Sequence, residues 1–530
     1  MYSLAIVNAV VCDGSSRPCY RADVAIQKDR IAHIGSISKD RAEKIIDGEG
    51  RVLAPGFIDM HSHSDTTIMI NPNADSKIRQ GVTTEVIGNC GNSLAPLWGK
   101  ALEYADRHLA GYGVQRSWES VGEYLDFLEN IKPALNVAML VGHGTIRRAV
   151  LGTENRNPTS AEMDQMKRHL YQALQDGAFG MSTGLIYPPG FYSETEELIE
   201  LAKVLAENNG LYASHIRGEG PTLIEAMTEV LNIGQKSKAS VHVSHHKATG
   251  RPHWGKVKET LAMIDEARSQ LIDVTGDMYP YQATNTLLQT FLPRWVHEGG
   301  ISEMLERLRM NDVREDLVKR LKGTDKYRIS WDNILLAHTR KGSNHNLEGK
   351  DFVEIAHLRK KEPTELVIDL ILEEEGTASV LIMSMCEEDI ERVMRHNAVM
   401  FGSDGSCLTK EGLLGNGKPH PRNFGTFPRV LGEYVRQRKT ISLESAINKM
   451  TFLTAKRLGL DNRGLIYPGF AADLVLFDPE MIQDRATYQD PKSYPIGINY
   501  VIVNGEIVIE YENNTNKRPG KVLRKGSEQG

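Results

Sequence analysis

The sequence predicts an α/β fold, a TIM-like (β/α)8 barrel with a long insertion before its last strand. Eight short apolar segments alternate with amphipathic segments of helical length, and reactive or small polar residues follow each apolar segment. This alternation is typical of βαβ units around a parallel sheet. A closed barrel gathers residues from the ends of all its strands at one face, whereas an open doubly wound sheet binds ligands at a single crevice. We therefore favour the barrel over the open sheet.

The eight predicted strands each deliver a candidate functional residue. The strands are residues 56–60, 83–87, 136–141, 178–182, 211–214, 240–243, 272–275 and 398–402. Their ends carry, in the same order, His61 and His63, Cys90, His143, Ser182 and Thr183, His215, His245, Asp277 and Tyr279, and Asp404. Imidazole, thiol and carboxyl groups are the ligands that metal sites use.

The segments outside the barrel pattern lack the alternation of apolar strands with amphipathic helices. Residues 1–53 read as short strands and turns, and the same texture returns at 472–478 and 500–506. Residues 281–397 are far longer than a usual βα loop and contain helix-like stretches. This insertion is interpreted either as a lid over the mouth of the barrel or as decoration on its outside.

Composition excludes several classes of function. The 530 residues are 40% hydrophobic and 25% charged, as in ordinary soluble proteins. The net charge of −6 does not indicate the excess of basic residues that is typical of nucleic-acid-binding proteins. No stretch approaches the roughly 20 apolar residues of a membrane span, and the N-terminus lacks a basic segment with a cleavage site. Five scattered cysteines argue against a disulfide framework and for a reducing compartment. We expect a cytoplasmic protein that binds neither nucleic acid nor membrane.

His61 and His63 end the first predicted strand. Because side chains alternate along a strand, the two imidazoles point to the same face and suit an ion such as zinc or iron. The alternative is a pair of surface histidines beside a turn. The residues at the other strand ends favour the metal.

Cys90 follows the second strand between Gly88 and Gly91, which allow close approach of the backbone. A thiolate is a strong zinc ligand and can bridge two ions. A buried apolar cysteine and a catalytic nucleophile are the alternatives. Metal ligation fits better, because the surrounding histidines outnumber what a cysteine nucleophile requires.

His215 and His245 each follow a serine at the end of successive strands, which favours a joint ligand set. We expect His246, whose side chain points the opposite way from His245, to be either a bystander or a residue that supports a ligand, and His242 to face the same way as His246. Asp404 lies in a turn after the last strand. It is either a turn former or the carboxylate that takes a proton from water in a metal barrel.

These residues together resemble the amidohydrolase superfamily and, within it, the N-acyl-D-amino-acid deacylase (D-aminoacylase) family. Most members of the superfamily use a carboxylated lysine where this family uses a cysteine. The resemblance runs along essentially the whole chain and rests on 55–63 (PGFIDMHSH), 88–91 (GNCG), 182–187 (STGLIY), 214–217 (SHIR), 244–247 (SHHK), 277–281 (DMYPY), 402–405 (GSDG) and 420–432 (HPRNFGTFPRVLG).

The resemblance implies a zinc-dependent hydrolase that cleaves the linear amide of small N-acyl-D-amino acids. Cys90, His215 and His245 would hold a tight zinc ion, and His61 and His63 would share Cys90 in a weaker second site. Asp404 would be catalytic. The residues that would bind substrate are Lys247, Tyr279 and Arg422, with Tyr187 and His143 as weaker candidates.

The resemblance also implies that residues 1–54 pair with 460–530 in one small β domain beside a barrel of residues 55–459. One departure is visible, because Asn285 stands where the D-aminoacylase pattern has a serine. Two other functions compete. A cyclic-amide hydrolase of the dihydroorotase or hydantoinase kind would have a lysine after strand four, where this chain has 181–184 (MSTG). A non-catalytic scaffold would have lost metal ligands.

Overall fold

The computed structural model of the protein describes residues 1–323, 330–340 and 342–527. Residues 324–329 and 341 of the predicted insertion, and residues 528–530 of the predicted C-terminal segment, lie outside the described residues. The described chain forms a parallel barrel, a sheet built from both chain ends and a small sheet in the insertion.

One sheet draws its strands from both ends of the chain. Strand β5 (Val52–Pro55) and strand β17 (Leu474–Phe477) join the two halves as an antiparallel pair in which Leu53 lies opposite Leu476. The short strands predicted near the two ends of the chain therefore belong to one sheet. Its strands are β1 (Tyr2–Val11), β2 (Tyr20–Gln27), β3 (Arg30–Gly35), β4 (Ala42–Asp47), β5 (Val52–Pro55), β17 (Leu474–Phe477), β18 (Ile498–Val503), β19 (Glu506–Glu510) and β20 (Asn513–Asn514).

The barrel contains eight parallel strands, as predicted, and each lies within a few residues of its predicted bounds. They are β6 (Phe57–Asp59), β7 (Val82–Ile87), β8 (Asn136–Gly142), β9 (Gly180–Gly184), β10 (Leu211–His215), β11 (Ser240–Val243), β12 (Val274–Met278) and β16 (Val399–Phe401). The first and last strands meet at a seam beyond their ends. There the Asp404 N–H donates to the His61 carbonyl at 2.7 Å, and the His63 N–H donates to the Gly405 carbonyl at 2.9 Å.

Helices surround the barrel and bury one face against it. In α6, for example, Met166, Leu170 and Leu174 recur at helical spacing and are buried, while Thr159 and Glu162 cap its N-terminus. The helices are α1 (Thr67–Ile70), α2 (Asp75–Ile78), α3 (Lys100–Ala110), α4 (Val121–Ile131), α5 (His143–Leu151), α6 (Ser160–Gln175), α7 (Thr195–Glu207), α8 (Leu223–Ser237), α9 (Val257–Ser269), α14 (Glu387–Arg395), α15 (Arg422–Arg429), α16 (Leu443–Met450) and α17 (Phe452–Leu458). A π-helical segment, Val430–Gln437, continues α15.

The insertion has its own antiparallel sheet and its own apolar core, in which Phe352, Leu366 and Val380 are fully buried. Residues from it line a large cavity together with residues from the ends of the barrel strands. Its elements are β13 (Ala283–Leu287), β14 (Ile334–His338), β15 (Ser379–Met383), α10 (Ile301–Arg309), α11 (Asn311–Gly323), α12 (Phe352–Arg359) and α13 (Pro363–Glu373).

Two further expectations can be compared with the structure. Cys12 and Cys19 form a disulfide, so the expectation that the cysteines are reduced is wrong for this pair, while Cys90, Cys386 and Cys407 are free. Among the described helices, none is both long and apolar enough to cross a membrane.

Candidate metal centre

A cluster of metal-ligating side chains lies at the carboxyl ends of the barrel strands. His61, Cys90, His245 and Asp404 each direct one donor atom to a common point, and these atoms all lie within 4.8 Å of one another. A second group, made of His215, Glu219 and His245, shares His245 with the first. The barrel thus brings together predicted ligands that are as much as 184 positions apart in the chain, counting from His61 to His245.

The spacing of these donors fits a metal ion. The Cys90 Sγ lies 3.3 Å from His61 Nε2, 3.6 Å from His215 Nδ1 and 3.4 Å from His245 Nε2. A tetrahedral zinc site with ordinary Zn–S and Zn–N bonds places such atoms about 3.5 Å apart. One thiolate with neighbouring imidazoles is also a donor set that zinc prefers.

The backbone is strained at three residues of this cluster. Cys90, His245 and Asp404 adopt φ values of +50°, +37° and +50°, which side chains other than glycine rarely adopt. Beside Cys90, Gly88 also has a positive φ, and a Cβ atom there would overlap the carbonyl oxygen of Leu140. Strain retained at three converging residues is typical of a functional site.

The Cys90 thiol is held as a thiolate. Burial alone would raise its pKa, but the imidazoles of His61 and His245 outweigh burial and hold the pKa of Cys90 well below its usual range. Thiolate is the form that ligates zinc. The site is therefore prepared for a cation.

Asp404 lies at the edge of the cluster toward the cavity. Its Oδ1 is 2.9 Å from His63 Nε2, and its Oδ2 is 2.8 Å from Arg422 Nη1. Burial would raise the pKa of Asp404, but Arg422 and His245 lower it well below the usual range. Asp404 is thus an ionised carboxylate beside the metal-ligating atoms.

Three predicted substrate-binding residues lie together on one side of the cluster. Tyr279 has Arg422 over its ring at 4.8 Å and Lys247 at 5.6 Å. Lys247 also forms an ion pair with Glu219. The buried Arg422 Nε has no hydrogen-bond partner among the described residues, which leaves a donor available to an anion.

The two weaker candidates are placed differently. The Tyr187 ring lies 5.3 Å from the His215 ring, and its hydroxyl lies 3.3 Å from Thr286 of the insertion. His143, by contrast, is fully buried, lies 2.7 Å from Glu197 and is not among the described residues that line the cavity. Asn285 does line the cavity, and its buried Oδ1 has no partner in the described chain.

Sequence reasoning missed the parts that Asp277 and Glu219 play. Asp277 Oδ2 lies 2.8 Å from His242 Nε2 and 3.4 Å from His61 Nδ1, while Glu219 Oε1 lies 3.0 Å from His245 Nδ1. A carboxylate on the far nitrogen of a metal-binding imidazole fixes its orientation. Asp277 stood among the predicted strand-end residues without a role, and its spacing of two residues from Tyr279 is the signal that places both side chains on one face at the end of β12.

The expectation that His242 faces as His246 does is wrong. His242 points toward Asp277 beneath the cluster, whereas His246 lies 2.8 Å from Thr260 of α9. β11 ends at Val243, and the positive φ of His245 breaks the alternation between the two residues.

The cavity above the cluster has a volume of about 1910 Å³. His63, Cys90, His215, His245 and Asp404 form part of its lining, and the insertion supplies much of the opposite wall. The cluster is therefore accessible to a small molecule.

Comparison with known proteins gives concordant matches. The amidohydrolase family profile matches residues 44–509. D-aminoacylase of Alcaligenes xylosoxydans xylosoxydans is 37% identical over 522 residues, which cover 98% of this chain and 97% of that protein. The crystal structure of N-acyl-D-glutamate deacylase from Bordetella bronchiseptica, complexed with zinc and a phosphonate mimic of the tetrahedral intermediate, is 35% identical, with a TM-score of 0.84 and 99% of each chain covered. A structure of D-aminoacylase is 36% identical, with a TM-score of 0.82, and the match covers 99% of this chain and 100% of that one. That work describes a binuclear metal centre in which one metal activates the enzyme and the second attenuates it.

Proposed function

This chain belongs to the amidohydrolase family, and from that premise we propose that it hydrolyses the amide bond of N-acyl-D-amino acids with zinc as its cofactor. The products are a carboxylate and a free D-amino acid. The observation that carries the proposal is the meeting of Cys90, three imidazoles and an ionised Asp404 beneath an open cavity.

We assign the tight zinc ion to Cys90, His215 and His245. His61 and His63 would hold a second, weaker ion together with Cys90. In the D-aminoacylase relative, one metal activates the enzyme and the second attenuates it, which supports a division into one tight and one weaker site. The chemistry that zinc supplies when bound is polarisation of the acyl carbonyl and a lowered pKa of the adjacent water.

We assign the proton transfers to Asp404. Its carboxylate is ionised, so it can accept a proton from the attacking water. The departing nitrogen is a poor leaving group until it is protonated, and the same carboxyl group can return the proton to it. Contacts to His63 and Arg422 hold both oxygens of Asp404 in place for this exchange.

We assign substrate orientation to Arg422, Lys247 and Tyr279. The α-carboxylate of an amino acid matches the planar fork of Arg422, whose Nε still lacks a partner among the described residues. Burial raises the pKa of Tyr187 well above its usual value, so its phenol stays neutral and can donate a hydrogen bond to the acyl half. Because His143 is not among the described residues that line the cavity and its Nε2 lies 2.7 Å from Glu197 Oε1, we propose that it positions α5 against α7 and does not contact the substrate.

The test is a panel of N-acetyl-D- and N-acetyl-L-amino acids incubated with the zinc-loaded protein and scored for free amine. Release of D-amino acids is expected, and release from the L series alone would contradict the stereochemical assignment. Dihydroorotate and hydantoins in the same panel test the cyclic-amide alternative. Metal analysis tests the scaffold alternative, because a scaffold should carry no stoichiometric zinc.

We propose a cytoplasmic location for the enzyme. The free thiols of Cys90, Cys386 and Cys407 support a reducing compartment, and the Cys12–Cys19 disulfide is the exception among the five cysteines. Cell fractionation with an antibody against the protein would test this location.

A further inference from the structure

One side of the cavity carries three guanidinium groups, which we call the basic wall: Arg107 of α3, Arg148 of α5 and Arg340 just after β14. All three residues line the cavity over the metal centre. They come from two barrel helices and from the insertion, so the wall exists only in the folded chain.

The basic wall differs in its charge balance from three other cations that line the cavity, while Arg294, whose guanidinium lies 5.4 Å from the Phe191 ring, is a fourth lining arginine without an ion pair among the described residues. Arg217 pairs with Glu229, Lys247 with Glu219 and Arg422 with Asp404. No carboxylate in the described part of the chain lies within ion-pair distance of Arg107, Arg148 or Arg340. The wall therefore presents uncompensated positive charge to the cavity.

Arg148 is the member that most requires an explanation, because only 6% of it is exposed. Its guanidinium carbon lies 3.9 Å from the centre of the Tyr104 ring, and its Nη2 lies 3.3 Å from the Pro188 carbonyl oxygen. Neither contact neutralises the charge. A buried cation without a counter-ion is costly, and a ligand carboxylate would relieve that cost.

The rest of the wall is also built around its guanidinium groups. Arg340 lies against Gly111 at the end of α3, where any side chain on Gly111 would collide with the Arg340 guanidinium. Tyr104 and Arg107 lie on the same helix and line the same cavity. The wall thus combines one buried guanidinium, that of Arg148, with two exposed ones that line the same cavity.

The position of the wall around the barrel identifies the part of the substrate that it faces. Lys247 and Tyr279 follow β11 and β12, whereas α3 and α5 follow β7 and β8. In the ring of eight strands, β7 and β8 lie four places from β11 and β12, on the opposite side of the metal centre. A substrate with its α-carboxylate at Arg422 and its amide at the metal centre therefore extends its acyl group toward the basic wall.

We infer that the basic wall is a binding site for an anion at the far end of the acyl group. The preferred substrates are then D-amino acids acylated by a dicarboxylic acid, with a free carboxylate at the end of the acyl chain. This inference rests on the proposed deacylase function and adds the chemical class of the acyl group to it.

The test compares N-succinyl and N-butyryl derivatives of one D-amino acid, because these acyl chains have the same carbon number and differ in the terminal carboxylate. With the zinc-loaded protein, kcat/KM should favour the succinyl substrate by about tenfold or more, as expected for a charge-assisted contact. Arg148→Gln should bring the ratio of the two values close to 1. Arg156→Gln is the matched control, because Arg156 pairs with Glu162 and lies outside the cavity lining, so the ratio should stay as in the parent.

Variants on the outer part of the wall keep the inference testable if Arg148→Gln does not fold. Arg107→Gln and Arg340→Gln replace exposed residues, and each should lower the succinyl-to-butyryl ratio. A parent ratio near or below 1, or a ratio unchanged in all wall variants, would overturn the inference while leaving the deacylase function intact.

Binding in the Asp404→Asn variant gives a readout that does not depend on turnover. Calorimetry should show tighter binding of the succinyl compound than of the butyryl compound, and the difference should vanish when Arg148→Gln is added. Equal binding of the two compounds would overturn the anion site. If neither compound is hydrolysed by the parent while this binding difference persists, the deacylase function fails and the anion site stands.

Discussion

At the scale of single residues, Cys90 joins the two halves of the metal centre. Its Sγ is within 3.6 Å of nitrogen atoms on His61, His215 and His245. Removing the sulfur removes the donor that all three imidazoles share.

Cys90→Ala should therefore lose the tight zinc ion. Metal analysis of the purified variant is expected to give well below one equivalent, against at least one in the parent. Cys386→Ala is the control, because Cys386 is also a free cysteine but caps α14 outside the metal-ligating groups. Full zinc occupancy in Cys90→Ala would refute the ligand assignment.

Asp404→Asn separates metal binding from catalysis. The amide keeps the size of the side chain but cannot accept a proton, so kcat should fall by about 10²- to 10⁴-fold. Zinc content should stay near the parental value, since Cys90, His215 and His245 are intact. Activity within a few fold of the parent would remove Asp404 from the chemistry.

At the scale of elements, the seam between β6 and β16 positions both ends of the metal centre. Each of these strands has only three residues, and a buried lysine of α2 joins the end of β6 to the loop that follows β16. Lys77 Nζ lies 2.7 Å from Asp59 Oδ2, 2.7 Å from Ser403 Oγ and 3.0 Å from the Gly405 carbonyl oxygen. The loops carrying His61 and Asp404 are thus fixed to each other by one side chain.

Lys77→Met should lower the free energy of unfolding by about 3 to 5 kcal/mol, because it leaves the buried Asp59 carboxylate unpaired. Urea unfolding of the zinc-loaded protein measures this loss. Lys517→Met removes an exposed ion pair with Glu506 and should cost under about 1 kcal/mol. Equal stabilities of the two variants would show that the seam does not depend on Lys77.

The insertion contains a histidine that makes its stability sensitive to acid. His297 is 5% exposed, and burial lowers its pKa to about 4 despite backbone contacts at Leu292 and Gln289 that raise it. Between pH 6.5 and 4 the unfolded chain takes up a proton at this residue, whereas the folded chain does not. The contribution of neutral His297 is therefore complete above pH 6.5 and lost as the pH falls toward 4.

His297→Gln should reduce the loss of stability between pH 7 and pH 4 by on the order of 2 kcal/mol. The measurement is urea unfolding at both pH values, with the difference compared between variant and parent. His33→Gln is the control, because His33 is exposed on β3. The same pH dependence in the His297 variant and the parent would contradict the argument.

Sequence patterns predicted the elements better than the contacts between them. The strands were predictable because their apolar runs are continuous, and Cys90, His215 and His245 were found because each ends such a run. The tie between Lys77 and Asp59 was not predictable, since a lysine in a short helix normally points to solvent. The direction of the His242 side chain relative to His246 was equally hidden, because the positive φ of His245 between them breaks the alternation and only the folded loop imposes it.

At the scale of the whole molecule, the two chain ends meet the bottom of the barrel in a buried polar cluster. Asn136 begins β8, and its Nδ2 lies 2.9 Å from the Thr83 carbonyl oxygen and 3.0 Å from Asp473 Oδ2. Its Oδ1 accepts hydrogen bonds from Asn504 Nδ2 at 2.8 Å and from the Lys521 N–H at 3.0 Å. We propose that residues 1–54 and 460–530 form one domain and residues 55–459 the barrel, with this cluster joining them.

Asn136→Leu tests whether the cluster holds the barrel to the terminal sheet. The substitution keeps the approximate volume but removes the hydrogen bonds of Asn136 to Thr83, Asp473, Asn504 and Lys521 at the centre of the cluster, which should cost about 2 to 4 kcal/mol. Calorimetry should show a lower Tm, while zinc content stays parental because the metal centre lies at the opposite end of β8. Asn513→Leu, at an exposed position on β20, should change the Tm little. If Asn136→Leu melts with the parent, the two parts of the molecule are held together by their apolar contacts and not by this cluster.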